Sequence, residues 1–284
     1  MVQRSLAAAG FALGLGLAAV TGATPASTQD APKDMAKDVA PDRSNPLTDS
    51  PTWQSLRDDI LGPVAVLPAD GLFTMEAPYR AEDAAAVPIH IRQLDASQAI
   101  QSATVVIDEN PAPVAAEFRF SPAMSPLDLT FRVRVDQYSN VRTIAGTAFG
   151  LRMDGRFVKA SGGCSAPAGQ DPEEALAGLG QTRLQQSESP SGLRREAEIQ
   201  IRHPNYSGLQ RDQITQLFIP AHFIDHLEVW QGDEMLFAME GGISISANPS
   251  FRFSYTENGA PSLTVKGHDT DGNLFETEFP KASD

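Results

Sequence analysis

The spacing of apolar residues changes along the chain, and each change marks an element. An uninterrupted apolar run, Leu6 to Val20, follows Arg4 and precedes the small residues Thr21-Gly22-Ala23. A positive start, a short apolar stretch and a small-residue end make a secretory signal over residues 1–23, with cleavage expected near Ala23. The run is short for a membrane span and no charged stop-transfer follows it. Residues 24–50 are mostly Pro, Ala, Asp and Lys with few large apolar side chains, the composition of a disordered tether. Ser50 then offers a helix cap and Pro51 suits the first helical position, with Trp53, Leu56, Ile60 and Leu61 on one face. Gly62-Pro63 should end that helix.

Beyond it the period becomes two. Val87, Ile89 and Ile91 alternate with Pro88, His90 and Arg92, and Leu129, Phe131, Val133 and Val135 with Thr130, Arg132, Arg134 and Asp136. Strands are also expected at Thr104–Ile107, around Phe118 and Phe120, and over residues 138–148 and 156–159, with a turn at Met153-Asp154-Gly155. Short strands separated by turn residues at this spacing predict an antiparallel sandwich. Asp171, Pro172 and Gly180 bound a second short helix, and residues 185–192 read as a polar linker. Alternation resumes at Ala197, Ile199 and Ile201. A hairpin follows around residues 231–234, then Phe251, Phe253 and Tyr255, then Leu263 and Val265, a turn at Asp269–Gly272, and a last strand over residues 274–279. The fold class expected is all-β, two sandwich domains with short flanking helices.

Of the 284 residues, 41% are hydrophobic, enough for a buried core, and the formal net charge is −14. Such a chain repels phosphate backbones and anionic bilayers, which argues against nucleic acid as a partner and against membrane insertion. One cysteine rules out an intramolecular disulfide.

That cysteine sits in Ser161-Gly162-Gly163-Cys164-Ser165-Ala166-Pro167. Small residues on both sides suggest a thin flexible arm, Gly162 and Gly163 giving it freedom and Cys164 a thiol near its tip. Three readings are open: a carrier thiol, a catalytic nucleophile, or a small buried filler. A nucleophile needs a neighbouring base or helix N-terminus, and none adjoins it in sequence. Asp269-Thr270-Asp271-Gly272-Asn273 lacks the glycine and acid positions of a calcium loop and reads as a hairpin turn. His222 and His226 have zinc-like helical spacing but fall in a strand pattern without a third ligand.

The segment ending in Gly162-Gly163-Cys164, with Ala84-Ala85-Ala86-Val87-Pro88 leading into a strand, resembles SoxY, the sulfur-carrying subunit of a bacterial thiosulfate-oxidation system. His203-Pro204 with Gly208, Ile219-Pro220-Ala221-His222-Phe223-Ile224 and Ser246-Ala247-Asn248-Pro249 resemble its partner SoxZ. Their order in one chain, with residues 77–83 upstream, is similar to the fused SoxYZ-like carriers associated with quinoprotein dehydrogenases. The resemblance implies a SoxY-like domain over residues 51–164, an arm and linker over 165–192, and a SoxZ-like domain over 193–284, each immunoglobulin-like. It implies a periplasmic, non-enzymatic carrier with a sulfur intermediate on Cys164 and no metal or organic cofactor. The partners it implies are periplasmic redox or hydrolytic enzymes, among them a quinoprotein dehydrogenase or a c-type cytochrome. A non-covalent adaptor for such a dehydrogenase or cytochrome is the alternative. The Sox carrier ends in Gly-Gly-Cys-Gly-Gly; here the chain continues, so the arm is a tethered loop.

Overall fold

The computed structural model describes residues 45–167, 175–188 and 194–281. The signal, most of the tether, and the Asp171-Pro172 start of the second helix lie outside them. Residues 45–50, which the tether reading placed in a disordered stretch, are packed onto the fold. Asn45 is buried and its amide donates to the Ala77 and Phe157 carbonyls. Thr48 and the Asn140 side chain exchange hydrogen bonds in both directions. Helix α1, Pro51–Leu61, follows as expected: the Ser50 hydroxyl accepts the Trp53 N–H at 3.0 Å. Trp53 packs on Val106 and Ile144, under the Arg142 guanidinium.

Fifteen strands follow among the described residues. In the first half they are β1 (Val66–Pro68), β2 (Phe73–Glu76), β3 (Val87–Gln93), β4 (Ser102–Ile107), β5 (Val114–Phe120), β6 (Asp128–Val133), β7 (Ser139–Thr147) and β8 (Gly150–Val158). In the second half they are β9 (Thr182–Glu188), β10 (Arg194–Ile201), β11 (Ile224–Gln231), β12 (Glu234–Gly241), β13 (Ser250–Thr256), β14 (Ser262–Asp269) and β15 (Leu274–Pro280). Val87, Ile89 and Ile91 pair with Val133, Phe131 and Leu129, and all six are buried, which is the period-two pattern realised as one face of a sheet.

The two halves form immunoglobulin-like sandwiches that share both sheets. A nine-stranded sheet runs β1-β8-β7-β4-β5-β12-β11-β14-β15 and a six-stranded sheet runs β2-β3-β6-β13-β10-β9. The junctions are β5 with β12, where Phe118 faces Met239 and Phe120 faces Phe237, and β6 with β13, where Leu129 faces Phe253. Between the sheets Phe118 and Phe131 of the first half meet Phe237 and Phe251 of the second, with ring centroids 6.2–6.5 Å apart. One hydrophobic core therefore spans both halves. Each junction removes two strand edges that would otherwise invite association.

Two local expectations change. Met153-Asp154-Gly155 is not a turn but the middle of β8; the chain reverses at Thr147–Gly150, where the Thr147 hydroxyl accepts the Phe149 N–H. Gly155 is small because a Cβ there would lie 2.5 Å from the Val141 carbonyl and 2.8 Å from Leu47. Residues 185–188 are not linker but the end of β9, paired antiparallel with β10. β9 is an edge strand, so its outward positions are polar.

Candidate functional site

Past β6 the chain stays extended through Arg134, Val135 and Asp136, held by Asn110. The Asn110 amide donates to the Arg134 carbonyl at 2.7 Å and its oxygen accepts the Asp136 N–H at 2.8 Å. The Arg134 N–H donates to the Ser244 carbonyl across the junction. Against this ledge lies the Gly-Gly-Cys segment. Gly162 N–H donates to the Asp136 carbonyl (2.7 Å), Gly163 N–H to the Val135 carbonyl (3.2 Å), and Cys164 N–H to Asp136 Oδ1 (3.1 Å).

The segment is therefore docked, which corrects the expectation of a free arm; Cys164 is 0% exposed. The glycines serve fit rather than freedom. A Cβ on Gly163 would fall 2.1 Å from the Ala84 carbonyl and 2.6 Å from that of Val135, while Gly162 takes a φ of +76°. No side chain fits the first position, and few tolerate the second.

A loop of the second half closes the site from above. Ser207 donates its hydroxyl to the Cys164 carbonyl, and the Gln210 amide donates to that of Ala166 at 2.9 Å. Arg134 ties the two layers together, donating to the Gly163 carbonyl and the Asn205 carbonyl, each at 3.2 Å. Burial, reinforced by Asp136 and opposed by Arg134, pushes the thiol up to about 12. A docked Cys164 is thus a neutral thiol at physiological pH, not a nucleophile.

The neck of that loop is clamped by a group that sequence reasoning missed. His203, His222 and Asp269 are buried, with ligand atoms all within 4.8 Å of one another. His222 Nε2 lies 2.8 Å and His203 Nε2 3.3 Å from Asp269 Oδ2. The Asn205 N–H donates to His203 Nδ1, so the ring proton sits on Nε2 and points at Asp269. A metal ion there would have to displace that proton and break the hydrogen bond, so the donor set fits a polar clamp better than a metal centre. Burial opposes charge on Asp269, but hydrogen bonds from Asn273, His222 and His203 hold its carboxyl well below the usual range. Burial lowers His203. His222 thus joins His203 from upstream and Asp269 from the end of β14, while His226 sits elsewhere, stacked on His268 and bonded to Glu240 and Glu228. The turn at Asp269–Gly272 forms as expected, with Asp271 and Asn273 N–H groups on Asp269 Oδ1. Beyond the clamp the same loop exposes Ile214, Leu217 and Phe218.

Two family models match the chain. The model for sulfur oxidation protein SoxY matches residues 57–164, and that for sulphur oxidation protein SoxZ matches residues 183–280. No curated protein matches. Among solved structures, the sulfur carrier protein SoxY from Chlorobium limicola f thiosulfatophilum is similar over 38% of this chain and 89% of that chain, at 20% identity and a TM-score of 0.32.

Proposed function

We propose that this chain, a SoxY-family domain joined to a SoxZ-family domain and so a fused SoxYZ-like sulfur carrier, works in the periplasm by holding a sulfur-containing intermediate covalently on the Cys164 thiol. The observation that carries the reading is positional: the SoxY match ends on Cys164, the sole thiol of the chain. Proteins of the two families are carriers and adaptors rather than enzymes. The buried, protonated thiol is the stowed state of such a carrier. Loading requires the segment to lift off its ledge, because a thiol held at about 12 supplies almost no thiolate near neutral pH. Release breaks the Ser207, Gln210 and Arg134 contacts and leaves the sandwich core intact. Partner enzymes, redox or hydrolytic, then act on the presented group.

Intact mass of the protein isolated from its native organism tests this. Discrete sulfur adducts confined to Cys164 are expected; an unmodified mass during growth on reduced sulfur compounds overturns it. Export is tested alongside: the mature N-terminus should lie near Thr24 and the protein should be released by osmotic shock, whereas a retained Met1 removes the periplasmic assignment.

A second reading has its own observation. The exposed Ile214, Leu217 and Phe218 on the covering loop suit a non-covalent adaptor that docks a quinoprotein dehydrogenase or its cytochrome, with Cys164 as filler. In that case Cys164→Ala retains full partner binding and the native mass shows no adduct.

A further inference from the structure

Arg134 is 2% exposed and forms no ion pair among the described residues. Among the described residues its hydrogen-bond acceptors, the Gly163 and Asn205 carbonyls, are neutral, and its Nε has no partner. A buried guanidinium without a carboxylate is costly to keep, and one left with an unmet donor more so. The acids whose fields reach this neighbourhood are Asp83, which acts on Arg134 from beyond contact, and Asp136, whose Oδ1 already accepts the Cys164 N–H. The titratable group that shares the site with Arg134 is Cys164 itself, and each alters the other's charge balance.

We propose that Arg134 is the counter-cation for an anionic group carried on Cys164, which selects sulfur cargo ending in an anion, such as a sulfonate or persulfide, over neutral or cationic groups. This rests on the carrier reading above. A group on Sγ needs room, which comes from outward movement of residues 162–166. Arg134 does not move with them, because its main chain is tied to Ser244 and Asn110. Its charge therefore stays on the ledge and meets the anion when the loaded segment settles back, with Nε free to donate. The field of the rest of the chain points the other way, since the net charge is −14 and Asp136 is adjacent. A preference for anions here would have to come from Arg134.

The test uses the full chain and methanethiosulfonate reagents that place a 2-sulfonatoethylthio, a 2-(trimethylammonio)ethylthio or a methylthio group on the sulfur. In each reaction the Cys164 thiolate attacks the thiosulfonate sulfur and a disulfide bond forms. Methanesulfinate departs with the electron pair, and the thiol proton passes to buffer. Cys164 is loaded in mild denaturant, the denaturant is removed, and release by dithiothreitol is timed relative to the same adduct unfolded. The wild-type protein should protect the sulfonate adduct about tenfold more than the trimethylammonium adduct, the ratio of one favourable partly buried charge contact. Arg134→Lys should keep the gap and Arg134→Gln should abolish it. The wild-type comparison stands even if the glutamine variant fails to fold. Equal protection of the two adducts in the wild type, or an unchanged gap in a folded Arg134→Gln, overturns the proposal. Absence of sulfur on protein from the native organism would instead remove the carrier reading and leave this charge preference measurable.

Discussion

Ser207 donates its hydroxyl to the main-chain carbonyl of Cys164 across 43 residues of sequence, so the second half of the molecule holds down the thiol segment of the first. Gln210 does the same to Ala166. Both are side chains acting on backbone, and either can be removed without touching the core. Each such bond contributes about 1 kcal/mol net, or roughly a fivefold change in an opening equilibrium. Labelling of native wild-type Cys164 by a neutral thiol reagent should therefore be far slower than labelling of the unfolded chain. Ser207→Ala and Gln210→Ala should each speed it about fivefold with little change in melting temperature. Native labelling as fast as unfolded labelling would show that the segment is not docked in solution.

Gly163 gives a sharper test of the same contact. A methyl group there meets two backbone carbonyls, of Ala84 and Val135, and neither is the end of a flexible side chain. The segment must lift as a unit, since Val135 is held by its own N–H bond to Ala84. Gly163→Ala should leave Cys164 labelled almost as fast as in the unfolded chain, with the β-sandwich still folded by circular dichroism. Gly162→Ala, which strains a positive φ but meets only the Ser165 hydroxyl at 3.8 Å, should cost about 1 kcal/mol and accelerate labelling far less. Equal behaviour of the two variants would remove close packing as the role of Gly163.

These residues also mark where the sequence was legible. Val87-Ile89-Ile91 and Phe251-Phe253-Tyr255 announce their strands because each buries alternate side chains in its own local pattern. The capped start of α1 is equally local. Gly155, Gly162 and Gly163 misled because a glycine reads as a turn or a hinge, whereas Gly155 and Gly163 yield space to something distant in sequence, Leu47 or Ala84, and Gly162 takes a positive φ while its N–H bonds the distant Asp136 carbonyl. The polar residues of β9 hid a strand because an edge position asks for no apolar face. His222 was paired with His226 on spacing, but its partners His203 and Asp269 come from other parts of the chain. The signal run and the Asp171-Pro172 helix start fall outside the described residues.

Burial of the thiol has a consequence for pH. The folded thiol sits at about 12 and the unfolded one at about 8.5. Below about pH 8.5 both states are protonated, and Cys164 contributes no pH dependence. Above it the unfolded chain loses the proton first, so rising pH favours unfolding until the folded thiol also ionises near 12. The slope cannot exceed about 1.4 kcal/mol per pH unit. Between pH 7.5 and 9.5 the wild type should lose about 1.4 kcal/mol of urea-unfolding free energy relative to Cys164→Ala, whose other titrating groups are the same. A constant difference between the two proteins over that range would mean that the thiol is solvated.

Shared sheets predict how the two halves behave when the chain is cut. Cleavage within residues 189–193 severs the connection between β9 and β10 but none of the ladders that cross between the fragments. β9 stays paired with β10, β5 with β12, and β6 with β13. Separation would also expose Phe118, Phe131, Phe237 and Phe251, all buried now, and water would have to replace the contacts of several aromatic rings. The nicked protein should therefore elute as one species from a sizing column at micromolar concentration. Phe118 is the residue to remove next, because its ring touches both Phe237 and Phe251 of the other fragment. Phe118→Ala deletes a buried ring at a cost of about 3–5 kcal/mol. In the uncut chain this should appear as a lower melting temperature with the halves still joined. In the nicked protein the same loss acts on association, so the fragments should separate on dilution. Fragments of the wild-type sequence that part at micromolar concentration would mean that the continuous sheets do not bind the halves together, and that the Ser207 hold on Cys164 depends on the covalent link alone.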